Sequence, residues 1–131
     1  MLKLSRAQGQ EWLVGPNIVI TLLETGDGNA REGHVKLRIE SSVAPKSACG
    51  KRVREGRDWI VEHARFDRFY IGSHGFQIIR AGSGSAKIEF NVAREVIVSR
   101  GENRWLHEKL IAGTATAEDM ASVKGRRWKA A

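Results

Sequence analysis

Apolar and polar residues alternate with a period of two through much of the first hundred positions, the spacing of β-strands with one buried and one wet face. In VKLRIE, Val35, Leu37 and Ile39 fall on one parity and Lys36, Arg38 and Glu40 on the other. KIEFNV repeats the arrangement, with Ile88, Phe90 and Val92 inward. The opening MLKLSR sets Leu2 and Leu4 against Lys3 and Ser5. Further strands are predicted at 11–15, at 69–72, at 76–80 and at 95–100, and the β-branched run IVITLL at 18–23 reads as a buried strand. Glycine-rich turns fill 24–33 and 82–85. Between 41 and 58 the alternation weakens. That stretch reads either as a solvated loop with a basic run or as a degraded edge strand at 47–52 whose arginines face a polyanion. A new apolar segment opens at Trp59. Past Gly101 the period becomes helical, with Trp105, Leu106, Leu110 and Ile111 on one face. A second short helix is predicted to start at the N-cap Thr116 and run to about Val123, followed by a basic tail at 124–129.

Composition narrows the function classes. At 131 residues the chain suits one small binding module better than a cofactor fold with a substrate domain. Hydrophobic content of 41% with 28% charged residues is globular, and no apolar run reaches the ~20 residues of a membrane span. The single cysteine, Cys49, and a strand beginning at Met1 with no leader before it predict a cytoplasmic protein. A net charge of +7 points to a polyanionic partner, with nucleic acid foremost.

The chain also repeats itself. LKLSRAQGQEWLVG, from Leu2, aligns without a gap with WIVEHARFDRFYIG, from Trp59. Both then continue through a turn, an alternating strand, a corner (Ala44, Pro45 and Lys46, or Ala93 and Arg94) and a last strand ending in Arg52 or Arg100. This predicts a mainly β fold of two five-strand units, 1–56 and 57–103, with a helical extension at 104–131.

MLKLSR, the LVG turn and NVAREVIVSR resemble the carbon storage regulator (CsrA/RsmA) family, small bacterial proteins that bind GGA-containing RNA, often near ribosome-binding sites. The family's opening, roughly MLILTR, matches 1–15 and its closing NAPKEVxVHR matches 91–100. Members are homodimers in which the first strand of one protomer lies beside the last strand of the other. The resemblance therefore implies an intramolecular, strand-swapped pseudo-dimer (β-sandwich or barrel), monomeric in solution, that regulates translation by binding messenger or small RNA. It implies a composite RNA site of Leu4 and Arg6 with Val98 and Arg100, flanked by Ser5, Ser99 and the corner residues Val92, Ala93 and Arg94. The second composite site is implied to be degenerate: Val61 and His63 replace leucine and arginine, Gly50 replaces valine, and only Arg52, beside Lys51, survives. Lys3, Ala7 and Ala93 depart from the family pattern, as does an expansion at 41–43. An alternative is a protein-interaction module that titrates conventional family members or their partners.

The chemistry suits RNA, since unpaired bases can be read on their edges by strand-end backbone groups while arginine forks bind phosphate. GSGSAK at 82–87 and GDGNAR at 26–31 lead into strands, so neither is a phosphate-binding loop at a helix start. His34, His63, His74 and His107 lack ligand spacing and no metal or cofactor is expected. Glu62, His63 and Asp67 have no nucleophile beside them, and no enzyme is expected. Trp12, Trp59 and Trp105 read as core or interface anchors, and Trp128 as a candidate for base stacking in the tail.

Overall fold

A computed structural model describes residues 2–26, 33–47 and 51–123. The middle of the 24–33 turn, Cys49, Gly50 and the basic tail with Trp128 lie outside the described residues. Among those described, ten strands form two antiparallel sheets: β1 (Leu2–Ala7), β2 (Glu11–Val14), β3 (Ile18–Thr25), β4 (His34–Glu40), β5 (Lys51–Glu55), β6 (Asp58–Ala64), β7 (Arg68–Ile71), β8 (His74–Gly82), β9 (Ser85–Asn91) and β10 (Val98–Arg100). A 3-10 turn, Gly101–Asn103, leads into α1 (Arg104–Ala112), and α2 (Ala117–Ala121) follows. The four-stranded sheet runs β1-β9-β8-β7 and the six-stranded sheet β10-β2-β3-β4-β6-β5. The chain is mainly β with short helices at its end, as the alternation predicts, and the sheets do not close into a barrel.

One core lies between the sheets, with Leu4, Phe69, Phe76, Ile88 and Phe90 from the smaller and Trp12, Ile20, Leu22, Leu37 and Ile39 from the larger. Phe76 stacks on Phe69 with centroids 4.9 Å apart and meets Phe90 edge-on at 5.7 Å.

The pairing interleaves the two ends of the chain. β1 adds to β9, with Leu2 opposite Phe90, Leu4 opposite Ile88 and Arg6 opposite Ala86. β6 adds to β4 in the matching register: Trp59 opposite Ile39, Val61 opposite Leu37, His63 opposite Val35. Local geometry repeats too. The Gly9 N–H donates to Leu22 O (2.7 Å) and the Leu22 N–H to Gln10 O (3.0 Å). At the aligned positions the Phe66 N–H donates to Ile78 O (2.6 Å) and the Ile78 N–H to Asp67 O (3.0 Å). Gly9 and Phe66 share a positive φ, 84° and 72°. The Gln10 and Asp67 side chains each accept from the backbone N–H three residues earlier, at 2.8 Å.

Four expectations are corrected. IVITLL is not buried on both sides, because Ile18, Ile20 and Leu22 are buried while Val19, Thr21 and Leu23 are half-buried. The last strand is three residues long, since the Val96 N–H turns back onto Ala93 O (3.0 Å) and takes 93–96 out of the ladder. The edge strand lies at Lys51–Glu55 rather than 47–52, and it forms a hairpin with β6 through Gly56, at φ 62°. Of the two readings of Trp105, core or interface anchor, the core one does not hold: it is 44% exposed, with Lys109 Nζ 5.7 Å from its ring centroid. At α2 the expected N-cap is present, the Thr116 hydroxyl accepting from the Asp119 N–H while the Asp119 carboxylate accepts from the Thr116 N–H, both at 3.0 Å.

Candidate nucleic-acid interface

β1 and β10 meet at one corner of the molecule. Each is an edge strand of its own sheet, and β2 ties them together. Trp12 Nε1 donates to Leu4 O (3.0 Å) and Arg6 Nη1 to Glu11 O (3.4 Å), while β10 pairs with β2, setting Val98 opposite Val14 and Arg100 opposite Trp12. Both strands therefore flank β2 at this corner, and among the described residues no hydrogen-bond ladder joins them to each other.

The side chains at this corner divide by depth. Leu4, Val98 and Ser99 are buried and belong to the core, so they have no face toward solvent. Arg6 is buried as well, and its guanidinium donates to the Glu102 carboxylate in the 3-10 turn. Burial alone would push the Glu102 carboxyl up, but the Arg6 hydrogen bond, its own backbone amide and the charges of Arg6 and Arg100 hold it below the usual carboxylate range. A single carboxylate thus lies in the field of both arginines singled out from the sequence. Ser5, Val92 and Arg100 are half-buried, and Ala93 and Arg94 are exposed on the 93–96 turn.

Ser99 has a different task from the expected one. Its hydroxyl lies 2.7 Å from His107 Nδ1, and His107 Nε2 lies 2.7 Å from Gly15 O. A carbonyl only accepts, so Nε2 carries the proton and Nδ1 accepts from the Ser99 hydroxyl. Burial pushes the imidazole pKa down, further than the Gly15 hydrogen bond raises it, which favours the neutral ring. His107 fastens α1 onto β10 and the Gly15 turn. Sequence reasoning did not single out Glu102, and it weighed His107 only as a metal ligand. The available signals were an acid two residues past Arg100 and a histidine beside Leu106 on the buried face of the predicted helix.

The opposite corner is built differently. Lys46 exchanges two backbone hydrogen bonds with Tyr70, both 2.8 Å, and Tyr70 aligns with Leu13, the partner of Ser99. The residues facing β7 are therefore those around Lys46, whereas Arg52 lies in the β5–β6 hairpin opposite Val61, and Gly50 lies outside the described residues. β5 lies along the edge of β6 that corresponds to the outer edge of β1. His63 is buried, its ring stacked on Phe69 at 4.9 Å and its Nδ1 3.5 Å from Asp67. Burial lowers its pKa more than Asp67 raises it. Arg52 is exposed, donates to Pro45 O and leans over Trp59, away from His63. The Lys51 side chain lies outside the described residues. The pair expected at this second site is not brought together.

Among the described residues no cluster of three or more His, Cys, Asp or Glu could hold a metal ion, and no helix is long and apolar enough to cross a membrane. Comparison with known proteins found no family model, no curated protein and no solved structure that matches the chain.

Proposed function

We propose that this chain is an RNA-binding post-transcriptional regulator that reads a GGA-type motif in a single-stranded loop at the corner between β1 and β10. In this reading the chain is a fused pair of carbon-storage-regulator-like units. The observation that carries it is the exchange of end strands: β1 on β9, β6 on β4 and β10 on β2, with β1 and β6 in equivalent registers. That is the interleaving a fused, strand-swapped dimer needs, and the net charge of +7 favours a polyanion.

The corner suggests how the work is divided. Two neighbouring sheet edges offer backbone N–H and C=O groups, which suit the edges of splayed purines. Leu4 and Val98 act from below by fixing the strands. In this reading Arg94 and Arg100 supply the phosphate contacts, and Arg6, bound to Glu102, helps hold the corner. The β5 hairpin covers the equivalent edge of β6, which among the described residues leaves one such corner.

Fluorescence anisotropy with a GGA-loop hairpin and a CCA-loop control tests the reading. Arg100→Ala is expected to weaken GGA binding by about tenfold or more, the effect of losing one well-placed charged contact, while the circular dichroism spectrum is unchanged. Equal affinity for the two loops, or GGA binding indifferent to Arg100→Ala, would overturn it.

A further inference from the structure

The β5–β6 hairpin carries a second cationic surface. Arg54 stands directly opposite Trp59 and Arg52 opposite Val61. Both guanidiniums lie against the indole of Trp59, with Cζ 4.9 Å from the ring centroid for Arg54 and 5.2 Å for Arg52. Both arginines are exposed, as is Arg57 in the turn, whereas Trp59 is half-buried against the core. Arg52 also donates to Pro45 O and Arg54 Nε donates to Gly56 O (3.2 Å).

These contacts fix two flexible side chains without neutralising them. An aromatic face and a carbonyl hold each exposed guanidinium in place and leave it further N–H groups to donate, so little rotamer freedom is left to lose when a phosphate arrives. Two of the nearby carboxylates are already engaged by another cation, Arg38 reaching Asp58 at 3.2 Å and Glu55 at 3.5 Å. Beside the pair lies an open groove of about 670 Å³ lined by Arg54, Arg57, Asn17, Ser41, Glu40 and Asp58 among others.

We infer that the Arg52–Trp59–Arg54 cluster is a sequence-independent binding site for the phosphate backbone of single-stranded RNA, separate from the β1–β10 corner. It takes the RNA partner from the reading above and extends the footprint beyond a single loop. A transcript held at the corner would have its flanking single strand retained here, so the second half of the chain supplies backbone affinity where it lacks a motif-reading corner.

An oligouridine of about 15 nucleotides, which lacks GGA, isolates this site. In anisotropy titrations over a range of KCl concentrations, Arg52→Gln/Arg54→Gln is expected to weaken oligouridine binding about tenfold. Its log–log salt slope should become shallower by about 1.4, or ~0.7 for each phosphate that is no longer neutralised. Affinity for the compact GGA hairpin should stay within about twofold, and Trp59→Phe, which keeps an aromatic face, should fall between wild type and the double variant. Oligouridine binding unchanged in the double variant, or absent from the wild type, overturns the site. Arg100→Ala reports on the corner alone, so failure of the corner leaves the oligouridine result intact and the two failures are told apart.

Discussion

Arg6 and Glu102 are 96 positions apart in the chain, and their contact fastens the first strand to the turn that follows the last. The Arg6 side chain is 5% exposed and that of Glu102 58%, so removing the carboxylate strands a buried cation while the carboxylate itself is well solvated. Glu102→Gln should therefore destabilise the fold by about 1–2 kcal/mol in urea unfolding, below the value for a fully buried pair. A variant as stable as the wild type would show that Arg6 finds another partner. His63 and His107 make a separate prediction about pH. Burial holds both below the ordinary 6.5, so between their depressed values and 6.5 the unfolded chain binds more protons than the folded one. Stability is complete above pH 6.5 and declines as pH falls below it, by up to about 1.4 kcal/mol per pH unit for each histidine. Thermal melts from pH 7.5 downward should show this decline, and His107→Gln should remove one histidine's share of the slope.

At the scale of the elements, alternation was a sound guide wherever a strand has one dry and one wet face. β1, β4 and β9 were legible for that reason, and α2 was legible from Thr116 and Asp119. β5 was not, because Arg52 and Arg54 cover Trp59 and the one apolar residue of the strand, Val53, faces outward at 63% exposure. A strand whose inward positions are arginines has no hydrophobic period to read, though inward-facing charge is a known protection for sheet edges. The same gap misplaced the second corner: without the added hairpin, the counterpart of Arg100 falls on Arg52, whereas pairing at Lys46 and Tyr70 places it near Ser47. Residue types drew attention to β1 and β10, and burial places Leu4, Val98 and Ser99 inside the molecule there rather than on its surface. The turns after β1 and β6 give a stability prediction. Phe66 adopts a left-handed conformation that glycine fills at the aligned position 9, and its side chain is 58% exposed. Phe66→Asn should stabilise by about 0.5–1 kcal/mol and Gly9→Ala should destabilise by about 1 kcal/mol, read as shifts in the urea midpoint.

For the whole molecule, interleaved strands make the two halves mutually dependent. Residues 1–56 lack the β9 to which β1 pairs, and 57–131 lack the β2 and β4 to which β10 and β6 pair. Expressed separately, each fragment should be largely unfolded by circular dichroism, and mixing them should restore the β spectrum in a 1:1 complex. A fragment that folds alone would show that its sheet closes without the exchange. Light scattering of the intact chain should report 14.6 kDa, since β1, β6 and β10 already find their partner strands within one chain. The pairing of Leu2 with Phe90 has a further consequence in time. On a translating ribosome, β1 emerges early but must wait for more than eighty further residues before its partner strand exists. Until then its exposed edge needs a chaperone or a provisional neighbour, so slowing elongation over β2 to β8 should lengthen the interval in which the nascent chain is vulnerable to proteases and to pairing with its own copies.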